Sequence, residues 1–210
     1  MNIQKPAFII ETPLDPEYIL QHLERAGRTA YKSEDRITSD SAKAFVGRML
    51  QRGHESVIEH CHITVRIVCD RGVSHEIVRH RMANYTQEST RYCNYTKGKF
   101  GGEITVIEPC FWEKGSRQYI VWEKAMDAAE NAYRELVGLG ASPQEARSVL
   151  PNSLKTEIVV TMNLREWRHF LSLRTAVSSH PQIREIAVPL LEAFKEQVPV
   201  IFDDITIEEA

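Results

Sequence analysis

Nothing in this 210-residue chain approaches the roughly 18 consecutive apolar residues that a membrane span requires. Its opening, MNIQKPAFIIETP, lacks the basic-then-apolar layout of a secretory signal. Together these absences predict a cytoplasmic protein with no membrane partner. Cysteine is scarce: Cys61, Cys69, Cys93 and Cys110 form no C-x-x-C pair and are too sparse for a disulfide scaffold, so reduced thiols are expected. Internal repeats, low-complexity tracts and linker-like shifts in composition are missing too, which argues for one domain over residues 1–210. Excess positive charge is also absent. A formal net charge of −3 excludes the broad positive field of a general nucleic-acid binder, so any anion must be met by a local cluster.

What is present reads as a globular α+β protein, with 42% hydrophobic and 26% charged residues. AFIIET predicts a strand, and the helix after it takes Asp15 as N-cap, Pro16 at its first position and Gly27 past its end. Phe45, Val46, Met49 and Leu50 recur at helical intervals within 39–52 until Gly53 stops them. In CHITVRIVC, Ile63, Val65 and Ile67 alternate with polar residues as in a half-exposed strand. VSHEIVRHR reads as a helix carrying Arg79, His80 and Arg81 at its C-terminal end, followed by an ordered loop through Asn94. EITVIEP is a strand, and a long helix follows from Ser116 to Gly138 or Gly140. SPQEARSVL opens on a helix-start signature and closes at Pro151, and KTEIVVTMN alternates as a strand. Asn163 with Glu166 resembles a capping box for NLREWRHFLSLR. The last helix, PQIREIAVPLLEAFKEQV, spaces Ile183, Ile186, Leu190, Leu191 and Phe194 for a core, and Pro189 is expected to kink or divide it. Without strict β-α-β alternation, the architecture expected is a central, twisted, mainly antiparallel sheet flanked by helices in a single domain.

One segment concentrates the chemistry. RHRMANYTQESTRY, residues 79–92, carries Arg79, Arg81 and Arg91 with Ser89. Guanidinium forks bind phosphate bidentately, and a serine hydroxyl with loop amides can complete the oxyanion shell. Two other readings stand beside a phosphate-monoester pocket. One is a solvated basic loop or ion pairs with Glu88; the other is an RNA-binding module, in which Tyr85, Tyr92 and Tyr95 stack bases between basic residues. The histidines His54, His60 and His62, with Glu55 and Glu59, raise a metal-dependent hydrolase. The zincin spacing fails, however, because six positions separate His54 from His60, and no metal is assigned. Cys110 in EPCFW is expected to be a partly buried structural cysteine. Ser89 has neither a G-x-S-x-G elbow nor a triad partner.

The RHR triplet, seven further residues and Ser89, continued as Ser-x-Arg-Tyr at 89–92, closely resembles the signature of the flavin-dependent thymidylate synthases. GHESVIEH, EARSVLP and NLREWRHFLSLR resemble other segments of that family, in family order, across residues 53–174. The resemblance implies reductive methylation of dUMP to dTMP, with methylenetetrahydrofolate as carbon donor and NADPH as electron source through bound FAD, and without a cysteine nucleophile. It further implies that Arg174 polarises the uracil ring, while Arg79, Ser89, Arg91 and Arg147 hold the nucleotide. By the same resemblance His54, Ser56, Glu59, Arg81, Asn163, Arg165 and His169 meet FAD. Gln87 and Glu88 fall where the family places contacts to nucleotide or flavin. Glu76 stands where some relatives have glutamine; a carboxylate there would repel phosphate, so it is left outside the site. A homotetramer with sites at subunit contacts is implied as well, and no nucleic-acid partner.

Overall fold

The computed structural model describes residues 1–98 and 101–207. Six strands are present among them: β1 (Asn2–Gln4), β2 (Ala7–Ile10), β3 (His62–Asp70), β4 (Ala83–Gln87), β5 (Thr105–Ile107) and β6 (Lys155–Asn163). The helices are α1 (Pro16–Arg28), α2 (Ser41–Gln51), α3 (Arg71–Ile77), α4 (Arg117–Gly138), α5 (Pro143–Ala146), α6 (Leu164–Arg174) and α7 (Pro181–Gln197), with a 3-10 segment at Glu55–His60. The fold is α+β, with an antiparallel sheet in the order β2-β3-β6-β4 and a separate two-stranded parallel pair, β1-β5. No helix among the described residues is long and apolar enough to cross a membrane.

The chain divides into two compact units. The first comprises residues 1–8, 66–79 and 85–159; the second comprises 9–65, 80–84 and 160–207. In the first, Tyr119, Trp122, Met126 and Tyr133 of α4 pack with Ile104, Val106 and Leu154. Ser116 caps α4 by accepting from the Tyr119 amide at 3.3 Å, and the Ser142/Glu145 capping box opens α5. In the second, Trp167 meets Phe170 and Phe194 edge-on at 5.5 and 5.4 Å between ring centroids, and Phe194 meets Phe202 at 5.0 Å. Edge-to-face rings add attraction beyond the area they bury.

Local rules explain most elements. The Asp15 carboxylate accepts from the Tyr18 amide at 3.0 Å and starts α1. In β3, Ile63, Val65 and Ile67 are fully buried while Thr64 and Arg66 are not, as two-residue alternation requires. β6 repeats the pattern with Ile158, Val160 and Met162.

Among its elements, the structure departs from the sequence expectations in five places. Gly27 lies inside α1 rather than past its end; a Cβ there would sit 2.7 Å from the Phe45 ring, so the glycine permits close approach of α2. α3 stops at Ile77, which leaves Arg79, His80 and Arg81 beyond it. Residues 83–87 form β4 instead of loop; ANYTQ has no apolar set to reveal an edge strand, and its pairing shows instead in the Glu88 amide donating to the Glu157 carbonyl at 2.8 Å. The N-terminal strand β1 was not foreseen, three residues being too few to display a period. Finally, α7 runs undivided through Pro189. A helical proline costs about 3 kcal/mol, whereas Ile183, Ile186, Leu190, Leu191 and Phe194 are buried on both sides of it at roughly 1.5–3 kcal/mol each.

Candidate functional site

Helix α6 positions several of the second unit's candidate site groups. Asn163 Oδ1 accepts from the Glu166 amide at 2.8 Å, which fixes the first turn. Leu164, Trp167, Phe170 and Leu171 turn inward, and Trp167 Nε1 donates to the Ile63 carbonyl at 2.9 Å. The remaining faces carry Arg165, Glu166, His169 and Arg174. Only half of the expected capping box forms here: the Glu166 carboxylate is turned to His80, with Oε1 3.3 Å from Nδ1. Arg174 Nε donates to His80 Nε2 at 3.1 Å. His80 is buried, edge-on to Phe170 at 4.8 Å and tilted against His169 at 5.5 Å. Burial first, then the charges of Arg174 and His169, push its pKa down to about 4. The imidazole is therefore neutral at physiological pH, so its contact with Glu166 is a hydrogen bond between a neutral ring and a carboxylate.

Arg165 donates to Glu59 Oε1 at 2.6 Å, with Glu55 at 3.3 Å. Those carboxylates hold its guanidinium above its ordinary pKa. This pair borders a cavity of about 690 Å³ whose lining includes Glu55, Glu59, Asn163, Arg165 and His169. A second cavity of about 400 Å³ is lined by residues that include Tyr31, His54, Ser56 and Arg165. Arg81 is exposed in the segment that carries His80. The residues expected at a flavin thus fall, Arg81 apart, on two cavities that share Glu55 and Arg165.

In the first unit, Arg147 Nη1 reaches Thr90 Oγ1 at 3.4 Å and so joins the 89–92 turn. Ser89 Oγ accepts from the Arg91 amide at 3.3 Å, and the Tyr92 and Cys93 amides donate to the Ser89 carbonyl. The Arg91 guanidinium lies over the Tyr92 ring, 5.5 Å from its centroid, and Arg79 Nε donates to the His75 carbonyl at 3.2 Å. Glu88 neutralises none of these arginines. It accepts from Lys155 Nζ and Tyr95 Oη, each at 2.9 Å. Burial alone would lower the Lys155 pKa, but Glu157 and Glu88 outweigh it and leave it raised. Gln87 Nε2 donates to Ser74 and Thr156 hydroxyls at 2.9 and 3.2 Å, so both side chains brace the loop.

A family model described as thymidylate synthase complementing protein matches residues 17–200. The flavin-dependent thymidylate synthase of Geobacter sulfurreducens is 36% identical over 207 residues, covering 95% of this chain and 86% of the relative. That of Pyrococcus furiosus is 38% identical over 167 residues, 79% of this chain and 68% of the relative.

The chain belongs to the flavin-dependent thymidylate synthase family.

Among solved structures, a UMP/dUMP methylase from Streptomyces cacaoi bound with 5-Br dUMP shares the fold, with a TM-score of 0.78 over 97% of this chain and 96% of that one, at 20% identity.

A flavin-dependent thymidylate synthase implies a flavin, and the second unit's donor set fits one. Arg165, His169 and the Asn163 amide border the larger cavity, whose volume lies within the few hundred to about 1,000 Å³ usual for ligand pockets. The Arg165–Glu59 pair is exposed on both sides, so transferring the guanidinium to a diphosphate forfeits little. The hydrolase reading finds no such support. Among the described residues, the one group of three metal-ligand side chains within 4.8 Å is His80, Glu166 and His169, not the trio at 54, 60 and 62. The Arg174 cation already occupies the His80 Nε2 lone pair.

Sequence reasoning missed His80 and Glu166 as functional neighbours of Arg174, although the first stands inside the RHR triplet and the second at the cap position. It also missed Lys155 and Tyr95 as partners of Glu88. Cys110 is corrected as well: it is exposed, not partly buried, because EPCFW forms a surface turn where Phe111 and Trp112 are exposed too.

Proposed function

We propose that this chain reductively methylates dUMP to dTMP, taking the carbon from methylenetetrahydrofolate and the electrons from NADPH through FAD, with no cysteine nucleophile. The observation that carries the reading is the charge state of the 79–92 loop. Its own acidic residue, Glu88, is committed to Lys155 and Tyr95. Among the described residues Arg79, Arg91 and Arg147 contact only a carbonyl, a ring and a hydroxyl. Cations without carboxylate partners are the complement of a phosphate monoester.

In this reading Arg79, Ser89, Arg91 and Arg147 bind the nucleotide phosphate, and His54, Ser56, Glu59, Arg81, Asn163, Arg165 and His169 bind FAD. Each set contributes to composite sites in a homotetramer. Bound FAD would pass reducing equivalents from NADPH to the pyrimidine carbon. Uracil C5 is a poor nucleophile, and a fixed cation against the carbonyl and N3 edge stabilises the negative charge that develops. Arg174 supplies that cation; its charge persists at every working pH and its planar fork matches the imide edge. Arg174→Ala is expected to abolish dTMP formation from dUMP while NADPH still bleaches the flavin absorption. Near-normal dTMP production by a folded Arg174→Ala enzyme removes Arg174 from this role.

A further inference from the structure

We propose that His80 and Glu166 form a positioning relay that aims the Arg174 guanidinium. The inference rests on the role given to Arg174 above and extends it to two residues that the reading assigns to neither substrate nor flavin, although Glu166 also borders the larger cavity.

Arg174 is the last residue of α6, where the helix ceases to constrain its neighbours. A long side chain at a helix end samples many rotamers, and fixing it needs a second element. Here that element is the buried His80 ring, whose Nε2 receives the Arg174 Nε–H at 3.1 Å. A guanidinium offers donors only, so His80 Nε2 must present a lone pair. The single ring proton then sits on Nδ1, directed at Glu166 Oε1 3.3 Å away. Glu166 and Arg174 belong to one helix, about two turns apart, and the ring ties both to it. Each bond enforces the other: the carboxylate selects the tautomer, and the tautomer selects the donor it can accept. Phe170 against the ring leaves it little room to turn. The low pKa of His80 fits this arrangement, since a second ring proton would face the Arg174 Nε–H.

A misdirected catalytic group can cost on the order of 100-fold in rate without loss of binding. His80→Leu keeps an apolar body but neither hydrogen bond. It is expected to lower kcat for dTMP formation about 100-fold, with a much smaller change in KM for dUMP and with flavin reduction by NADPH retained. His80→Gln restores an acceptor for Arg174 and a donor for Glu166, and is expected to recover kcat to within about 10-fold of the parent. If Arg174→Ala is inactive but His80→Leu turns over normally, the relay is overturned while the role of Arg174 stands. If Arg174→Ala is active, the reading beneath the relay fails first. Equal impairment of the leucine and glutamine variants also overturns it, by reducing His80 to a packing residue. The unmodified enzyme gives a test that needs no variant to fold. ¹⁵N NMR of the His80 ring should show a protonated Nδ1 and a bare, hydrogen-bonded Nε2 at neutral pH, and a proton on Nε2 sinks the proposal.

Discussion

Two sets of arginines, one in each unit, are treated in opposite ways. In the second, Arg28 and Arg168 are locked to carboxylates, with Arg28 at 2.6 Å from Glu24 and Arg168 doubly bonded to Asp204 at 2.6 and 2.8 Å. In the first, Arg79, Arg91 and Arg147 have neutral partners, the nearest of them a carbonyl at 3.2 Å. Arg174 donates to a neutral imidazole. A cation whose task is to brace the fold is satisfied internally, whereas one that must meet an anion from outside keeps weak partners that surrender it cheaply. Under the proposed function, the contrast separates the fold's braces from its phosphate ligands.

The largest expected effect tests the imidazole. His80 titrates at about 4 when folded, because burial, Arg174 and His169 all oppose its charge, against about 6.5 in the unfolded chain. Between those values the unfolded state binds more protons, so stability rises with pH across the window and is fully present above it. Acidification to near pH 4.5 should remove about 2 to 3 kcal/mol through this group alone. Urea midpoints of the parent and His80→Gln, compared at neutral and acid pH, cancel the contribution of the carboxylates. Equal acid losses in the two would show that the ring is not held neutral. Next in size, Arg147→Ala should raise KM for dUMP about 10- to 100-fold with kcat little changed, the loss of one charge-assisted phosphate contact. An unchanged KM would place Arg147 among the braces.

Arg168 is the counterpart. Its pair with Asp204 is half-sheltered, the arginine side chain 13% exposed and the aspartate 63%. Arg168→Ala is therefore expected to cost only about 1 to 2 kcal/mol of stability, read as a lower thermal midpoint, and to leave KM for dUMP where it was. A large rise in that KM would erase the distinction between the two sets of arginines.

How much of this was legible in the sequence follows from the range of each signal. Alternation in β3 and β6, the caps at Asp15 and Ser142, and the inward face of α6 are encoded within a few residues, and the structure keeps them. RHR-x7-Ser marked the loop because the motif is contiguous. The edge strand β4 was hidden because its evidence is a partner strand, not an apolar period. Gly27 was misread because the same residue type serves a helix end and a tight helix crossing, and only Phe45 decides between them. Glu88 with Lys155, and His80 with Glu166 and Arg174, are long-range pairs; composition alone offered Glu88 as a partner for the loop arginines, and the fold gave it elsewhere. Charge counting locates cations. Which of them remain available is a tertiary fact.

The smallest expected effect concerns Cys110. A cysteine-dependent route to dTMP would use a thiolate to attack the pyrimidine ring, and this chain has a Pro-Cys pair in EPCFW. A nucleophilic cysteine needs a cationic setting that lowers its pKa. The turn around Cys110 offers instead the acidic Glu108 and Glu113 with the exposed Phe111 and Trp112. The Glu108 carboxylate is occupied by the Tyr119 hydroxyl at 3.0 Å. Exposure alone gives the thiol access to solvent, not activation. Cys110→Ser should accordingly leave dTMP turnover within about 2-fold of the parent, well below the 10²-fold or greater loss expected when a covalent nucleophile is removed. Complete inactivity of the folded serine variant would transfer the activating role from Arg174 to the thiol, and the availability of cations would then cease to mark the site.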